Sequence, residues 1–413
     1  MKTKENLSII KLIDNLYLIL FATFPIALIL GNFIINLYIF LFSISFLINF
    51  KENKIIFNNI FFYLIFFFFI SLLINVFFSL HPENSFPRAI KVLFVILFIF
   101  EIRRLIQRYE ANYLRNVYKS WFLIFLIISF DIIFELSFGH NLIGNKSYMS
   151  SRVASFFGDE LVVGAFYHGF VLFFLSYLTL RKSKNYILIL SIILVLLLSF
   201  LIGERSNFIK LFISVTIFTA LVIQLNYKLK LFTASMIFML LAVALNYSSS
   251  QYKDRFYSEV KDIISLDGYS TFIKKSQYGA HRDAAVKIFR ENLFFGVGLK
   301  NFRNESGKKK YENNEFSKTK TRQSTHPHQI HHEFLSETGL FGYFSFLIFL
   351  FSSVYLSLKS YLKSKNIYQL SSIIFIITSV LPILPSGSFL STYSSGIFWL
   401  NFAIMISYTK SKF

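Results

Sequence analysis

Runs of nearly twenty apolar residues recur from one end of this sequence to the other, and few folds can accommodate that pattern. As a helix, each run is long enough to cross roughly 30 Å of hydrocarbon. In lipid every backbone amide must be satisfied within the protein, which leaves helices or closed barrels. The runs are continuous rather than alternating, and that selects helices. Composition agrees: of 413 residues, 55% are hydrophobic and 15% are charged, whereas ordinary soluble domains carry about a quarter charged residues. The sequence therefore predicts an all-α polytopic membrane protein. The first run is followed at once by others and has no small-residue cleavage site, so it reads as a retained helix rather than a signal peptide.

Twelve spans are predicted, at about 12–30, 32–50, 57–80, 88–102, 118–138, 160–180, 185–203, 207–226, 231–247, 334–358, 367–385 and 390–408. Gly31 joins the first pair tightly, and "GERSN" (203–207) joins the seventh and eighth. Residues 1–247 thus hold nine spans, 248–333 form one long polar loop, and 334–413 hold the last three. Basic residues of the short loops fall unevenly. Lys51, Lys54, Arg103, Arg104, Arg108, Arg115, Lys119, Arg181, Lys182, Lys184, Lys228, Lys230, Lys359, Lys363 and Lys365 lie on the side of the termini. Only Arg88, Lys146, Arg152 and Arg205 lie on the other. The rich side is cytoplasmic, so both termini are expected inside and the long loop outside.

The net charge of +20 could signal nucleic acid, but much of the excess sits in short loops where it orients the spans, and no nucleic-acid partner is expected. With no cysteine, neither a disulfide framework nor a thiolate metal site is available. The run Lys308–Lys310 reads as a solvated or mobile tip of the outer loop.

Polar chemistry gathers in residues 281–342. Arg88, Arg152, Arg205 and Arg282 all fall on the outer face, where short loops disfavour arginine. Either each caps a helix end or pairs with an acid such as Glu83, Asp159, Glu160, Glu204 or Asp283, or several converge on a diphosphate. A planar guanidinium grips phosphate oxygens in pairs. "STHPH" has the form of a helix start, with Thr325 or His326 as cap and Pro327 at the first helical position. His328 would then lie in the first turn, beside unpaired N–H groups and the positive end of the helix dipole. That place disfavours imidazolium and favours an anion. Three readings of the histidines stand: a zinc site of His328, His332 and His326 or Glu333, though without a metalloprotease spacing; interfacial residues without function; or a general base at His328.

The "GVGLKNF" element (296–302) lacks the third glycine and the strand–helix context of a dinucleotide fingerprint; it reads as a tight turn bringing backbone N–H groups to the site. Asp14, Asp131 and Glu135 are acids within spans, which can mark an ion path. Asp131 and Glu135, one turn apart near the outer end of theirs, equally suit an interfacial or structural role.

"RENLFFGVGLKNF" followed after a spacer by "HPHQIHHEFLSETGLFG" resembles the signature of the O-antigen ligase and O-antigen polymerase superfamily. His328 stands eleven residues before Gly339, as in that family, and Glu333, Glu337 and Gly339 match it too. "RVASFFGDELVVGAF" and "GERSNF" are similar to its two upstream arginine segments. Gln329 stands where Asn is usual, and His332 where Leu is usual.

The resemblance implies a GT-C-type fold of about twelve transmembrane helices in a bacterial inner membrane, with one large periplasmic loop between the ninth and tenth. It implies an inverting glycosyltransferase that needs no metal or other cofactor. Its donor is a glycan on undecaprenyl diphosphate. The acceptor is a sugar hydroxyl of lipid A–core in the ligase branch, another lipid-linked repeat unit in the polymerase branch, or a protein hydroxyl. His328 is the expected base, with Asp159, Glu160 and Glu204 in reserve. Arg282, Arg205 and Arg152 are expected on the diphosphate, with Arg88, Gly296, Gly298 and Gln329 also contacting substrate. The rival class is a lipid-linked glycan transporter, which should show related halves, interrupted helices and polar groups near the midplane. Polar groups gathered at one face favour surface chemistry.

Overall fold

The computed structural model describes residues 14–50, 59–109, 111–223, 226–247, 253, 276–312 and 323–409. Among them no strand occurs. Helices follow the apolar runs: α1 (14–22), α2 (Phe24–Leu30), α3 (Asn32–Ile48), α4 (Ile60–Phe77), α5 (Pro82–Arg108), α6 (Ala111–Phe138), α7 (Val163–Leu180), α8 (Asn185–Leu201), α9 (Arg205–Leu221) and α10 (Tyr227–Tyr247). After the polar segment, which contributes α11 (Gln277–Glu291), come α12 (Ile330–Ser364), α13 (Ile367–Ser379) and α14 (Thr392–Ser407). By length and apolar composition α4, α6, α7, α10 and α12 can cross a membrane, and α3, α8 and α13 are shorter apolar helices. Lys2, Lys4, Lys11, Lys410 and Lys412, which count with the basic residues on the side of the termini, lie outside the described residues, as do Lys51, Lys54 and much of the long loop.

Helix ends carry readable punctuation. Asn59, Ser276 and Asn366 cap α4, α11 and α13, their side chains accepting from Phe61 N, Gly279 N and Gln369 N. Gly31, at φ 97°, turns the chain between α2 and α3.

The fourth span differs most from expectation. It is not a short segment at 88–102 but the 27-residue α5. Arg103, Arg104 and Arg108, expected in a loop, are its last turns, and Arg103 and Arg104 are buried. The reason is pairing. Arg104 meets Asp14 and Glu101, each at 2.6 Å, and Arg108 meets Asp14 at 3.3 Å. Charges can be buried when paired and hydrogen-bonded, so a run that hydropathy ends at 102 continues as helix. Asp14 is thereby a structural anchor at this end of the bundle.

α5 packs against α3, α4 and α14, while α7 packs against α6, α9 and α13. Polar ties cross the interior. His168 of α7 meets Thr378 of α13 at 2.9 Å and Ser214 of α9 at 3.3 Å, and Ser176 meets Ser371 at 2.7 Å.

At the opposite end from the Asp14 network, α11 packs on α12 over a small core of Ala284, Ala285, Ile288, Val297, Phe302 and Tyr311. The Lys308–Lys310 run is solvent-exposed, as expected, and two of its lysines are paired. Lys308 pairs with Glu305 at 2.6 Å and Lys310 with Glu291 at 2.5 Å, where Tyr311 also donates at 2.7 Å.

Candidate active site

The site is built on a break in α12. Gly339, at φ 63°, interrupts the helix, and a Cβ there would collide with the backbone of Phe294. The segment 293–298 lies against this break: Leu340 N and Phe341 N donate to Leu293 O and Phe294 O at 2.8 and 3.0 Å. In return Val297 N and Gly298 N donate to Ser336 O and Glu337 O at 3.0 and 2.8 Å. The buried Glu337 carboxylate accepts from Lys300 N at 2.8 Å and Phe302 N at 3.3 Å. Gly296 (φ 65°) has no room for a side chain, since a Cβ would lie 2.5 Å from Glu337 C. The expectation that this turn offers N–H groups to substrate is therefore corrected: those of residues 297 and 298 are taken up by α12. The glycines permit close docking.

The histidine segment runs into the same helix. α12 begins at Ile330, not at Pro327, and its cap is Gln329, whose Oε1 accepts from His332 N at 2.9 Å while its Nε2 donates to Pro382 O at 2.8 Å. The Gln329 amide expected on substrate is thus engaged within the protein. His328 precedes the helix with φ 55°, a left-handed conformation unusual for a side-chain-bearing residue that cannot continue a helix. Its ring stacks on His281 at 5.1 Å, lies 4.1 Å from the His326 ring, and meets Tyr278 edge-on at 5.5 Å. Burial and the neighbouring His326 push its pKa down to about 4. Burial, opposed only in part, likewise lowers His326 to about 4, with the Lys300 charge adding to the effect. His328 is neutral near pH 7 as expected, but burial is the dominant cause.

His331 and His332 are occupied: His331 donates to Val380 O at 2.7 Å and lies 3.0 Å from Tyr343 Oη, and His332 Nδ1 lies 3.0 Å from Gln329 Oε1. Among the described residues no group of three His, Cys, Asp or Glu is placed to hold a metal ion.

What joins these parts is a segment absent from the predicted site, residues 380–391. The eleventh span was drawn to residue 385, but α13 ends at Ser379 and a Pro-, Gly- and Ser-rich loop follows. Its Ser386 N donates to His328 O at 2.9 Å. Its Pro385 carbonyl accepts from Ser206 Oγ at 2.5 Å and from Lys210 Nζ at 2.9 Å. Glu333 accepts from Phe389 N at 2.8 Å and from the Ser388 hydroxyl, which also meets the Lys300 ammonium. Ser206 follows Arg205, so the arginine turn and His328 grip adjacent residues of one loop.

Arg205 opens α9, directly after the Gly203 turn (φ 83°). Arg152 is packed onto that turn: Val153 N donates to Ile202 O at 3.1 Å, and a Cβ on Gly203 would lie 3.4 Å from Arg152 Cα. Acids hold the Arg152 segment in place. Asp131 accepts from Ser155 Oγ at 2.6 Å and Leu142 N at 2.8 Å, and Glu135 from Ala154 N at 3.0 Å and Ser155 N at 2.5 Å. Their role is structural. Glu204 is likewise used, accepting from Gly164 N at 2.9 Å and Asn207 Nδ2 at 2.6 Å; Glu160 accepts from Asn32 at 3.2 Å, and Asp159 is exposed. Arg282, on α11 one residue after His281, is close enough for its charge to be felt at His332. Arg152 Nε, His326 Nε2 and Ser386 Oγ are buried with no hydrogen-bond partner among the described residues. Arg88 stands apart on α5, beside Lys91.

A membrane protein, helical throughout its described residues, with His281, His326, His328 and the Arg205 turn at one end of the bundle is the class that this fold and site define. The family model for O-antigen ligase, Wzy_C, matches residues 190–347, and this match supports the resemblance to the O-antigen ligase and O-antigen polymerase superfamily. The matched segment contains Arg205, Arg282, the Gly-x-Gly turn and His328, and stops before the 380–391 loop. No curated protein matches the chain.

Proposed function

We propose that this chain is a glycosyltransferase of the O-antigen ligase type, moving a glycan from undecaprenyl diphosphate to a sugar hydroxyl of lipid A–core at the periplasmic face of the inner membrane. The observation that carries the reading is His328: a half-buried, neutral imidazole whose backbone is latched to the loop that the Arg205 turn also grips. As the acceptor oxygen bonds to the anomeric carbon, its proton passes to the His328 ring. The bond from that carbon to the diphosphate oxygen breaks, and its electron pair leaves with undecaprenyl diphosphate. Arg152, Arg205 and Arg282 hold the departing diphosphate, and their grip strengthens as its charge grows, which is the requirement for catalysis.

The test is to delete the gene, separate the envelope glycans on a gel, and complement with His328→Ala at normal protein levels. Loss of a positioned base costs about 10²–10⁴-fold in rate, so the variant should fail to restore long-chain glycan on its acceptor. Restoration to the level of the unmodified protein would remove His328 from the base role. In the deletion strain, free long chains beside bare core indicate a ligase, whereas core bearing a single repeat indicates the polymerase branch. Transfer by purified protein with donor and acceptor in one leaflet of a liposome would separate either from a transporter.

A further inference from the structure

We propose that Lys210, on α9, is a positioning residue for His328 and acts on it through a single peptide group, the one that joins Pro385 to Ser386. This rests on the reading of His328 as the base.

Lys210 is the one charged residue of α9 beyond Arg205, and it is only 4% exposed. Among the described residues no carboxylate pairs with it, and its ammonium donates to Pro385 O at 2.9 Å. Burying an ammonium without a counter-charge is costly, and ionisable groups kept inside a helical bundle in lipid pair with backbone carbonyls and mark function by default. Lys210 belongs to a polar stripe. Ser206, Lys210 and Ser214 recur at intervals of four and so share one face of α9. Ser206 donates to the same Pro385 carbonyl, and Ser214 meets Thr378 Oγ1 at 2.8 Å. That face is turned toward the end of α13 and the loop that follows it.

The other side of this peptide group carries the argument. The Pro385 carbonyl and the Ser386 N–H belong to one planar unit, and it is trans. In a trans peptide the two groups point in opposite directions. A carbonyl aimed at Lys210 and Ser206 therefore aims its N–H away from α9, and there the N–H donates to His328 O at 2.9 Å. A positive charge on the oxygen also polarises the amide and strengthens its donor end. His328 itself has φ 55°, a sparsely populated conformation that persists where the surroundings over-determine it. The bond from Ser386 is one such restraint.

Tethering the loop does not by itself call for a buried ammonium at this point. Its root is tied by Thr378, which meets His168 at 2.9 Å as well as Ser214. Its far end is tied by Glu333, which accepts from Phe389 N at 2.8 Å and pairs with Lys300 at 3.7 Å. Between these holds, Lys210 and Ser206 add the orientation of the 385–386 peptide, and with it the place of His328.

The experiment uses the purified full-length protein in liposomes, with the undecaprenyl-diphosphate-linked donor and an acceptor on which the unmodified protein is active. Lys210→Met keeps most of the side chain's bulk and removes the charged donor. Its kcat, per folded protein, should fall about tenfold or more, the scale on which a misplaced catalytic group loses rate. KM for donor and acceptor should not move, and Lys210→Arg should restore most of the loss. In a His328→Ala background Lys210→Met should cost nothing further, because the group it positions is gone. A merely structural lysine would not show that silence, and one that binds the diphosphate would raise the donor KM and add its loss to that of His328→Ala. Should Lys210→Met fail to fold, Ser206→Ala, which removes the other donor to the same carbonyl, should give a smaller fall in kcat with the same unchanged KM values and the same silence beside His328→Ala. An unchanged kcat, a raised donor KM or an additive loss overturns the proposal. Undiminished transfer by His328→Ala would instead sink the reading beneath it.

Discussion

At the scale of single residues, the proposed base is His328. Its position was legible from the His-x-His run and its distance to Gly339; its backbone was not. A helix start at Pro327 would have put His328 in the first turn, but the Ser386–His328 hydrogen bond, made by a loop far along the chain, accompanies a left-handed conformation that no local pattern announces. The titration follows from burial. An imidazole held near 4 stays neutral across pH 5–8, so transfer in liposomes should lose activity on the acid side near 4 rather than near 6.5. The same ring binds fewer protons folded than unfolded. Its contribution to stability is therefore complete above about 6.5 and lost as pH falls toward 4. His328→Asn separates backbone from base, because Asn tolerates the left-handed region. The melting temperature should stay close to that of the unmodified protein while transfer falls about 10²–10⁴-fold.

At the scale of elements, apolar runs anticipated most of the described helices, and failures came where pairing overrode hydropathy. α5 continues past residue 102 because Asp14 and Glu101 neutralise Arg104, a partnership across 90 positions of sequence for Asp14. The 380–391 loop was hidden for the opposite reason: its isoleucine, leucines and phenylalanine prolong two hydropathic runs, although two prolines and a glycine mark it as a loop once its pairing is known. The break in α12 offers a direct trial. Gly339→Ala places a methyl group against Phe294 and forces alanine into a backbone region (φ 63°, ψ −164°) that is nearly exclusive to glycine, at a cost of about 1–3 kcal/mol before any clash. Both thermal stability and transfer should fall, since 293–298 and Lys300 would leave α12 together. A variant as stable and as active as the unmodified protein would show that this docking does not matter.

At the scale of the molecule, the basic-residue count predicts one orientation, and the absence of cysteine makes it easy to check. A cysteine introduced at Lys309 should react with a membrane-impermeant maleimide applied from the periplasmic side, and one at Arg181 should react only after the membrane is opened. The reverse pattern would invert the topology. Composition and charge could reveal the kind of protein because they act over whole helices, whereas the assembly of the site depends on a few contacts between segments remote in sequence. The break between recognised and unrecognised sequence at residue 347 has a practical meaning here. The recognised segment holds the proposed base and two of the proposed diphosphate-binding arginines, but the loop that ties His328 to the Arg205 turn lies beyond it, between α13 and α14. Grafting 190–347 into a relative would import the reactive groups without their clasp, and such a hybrid should stay silent until 380–391 travels with it.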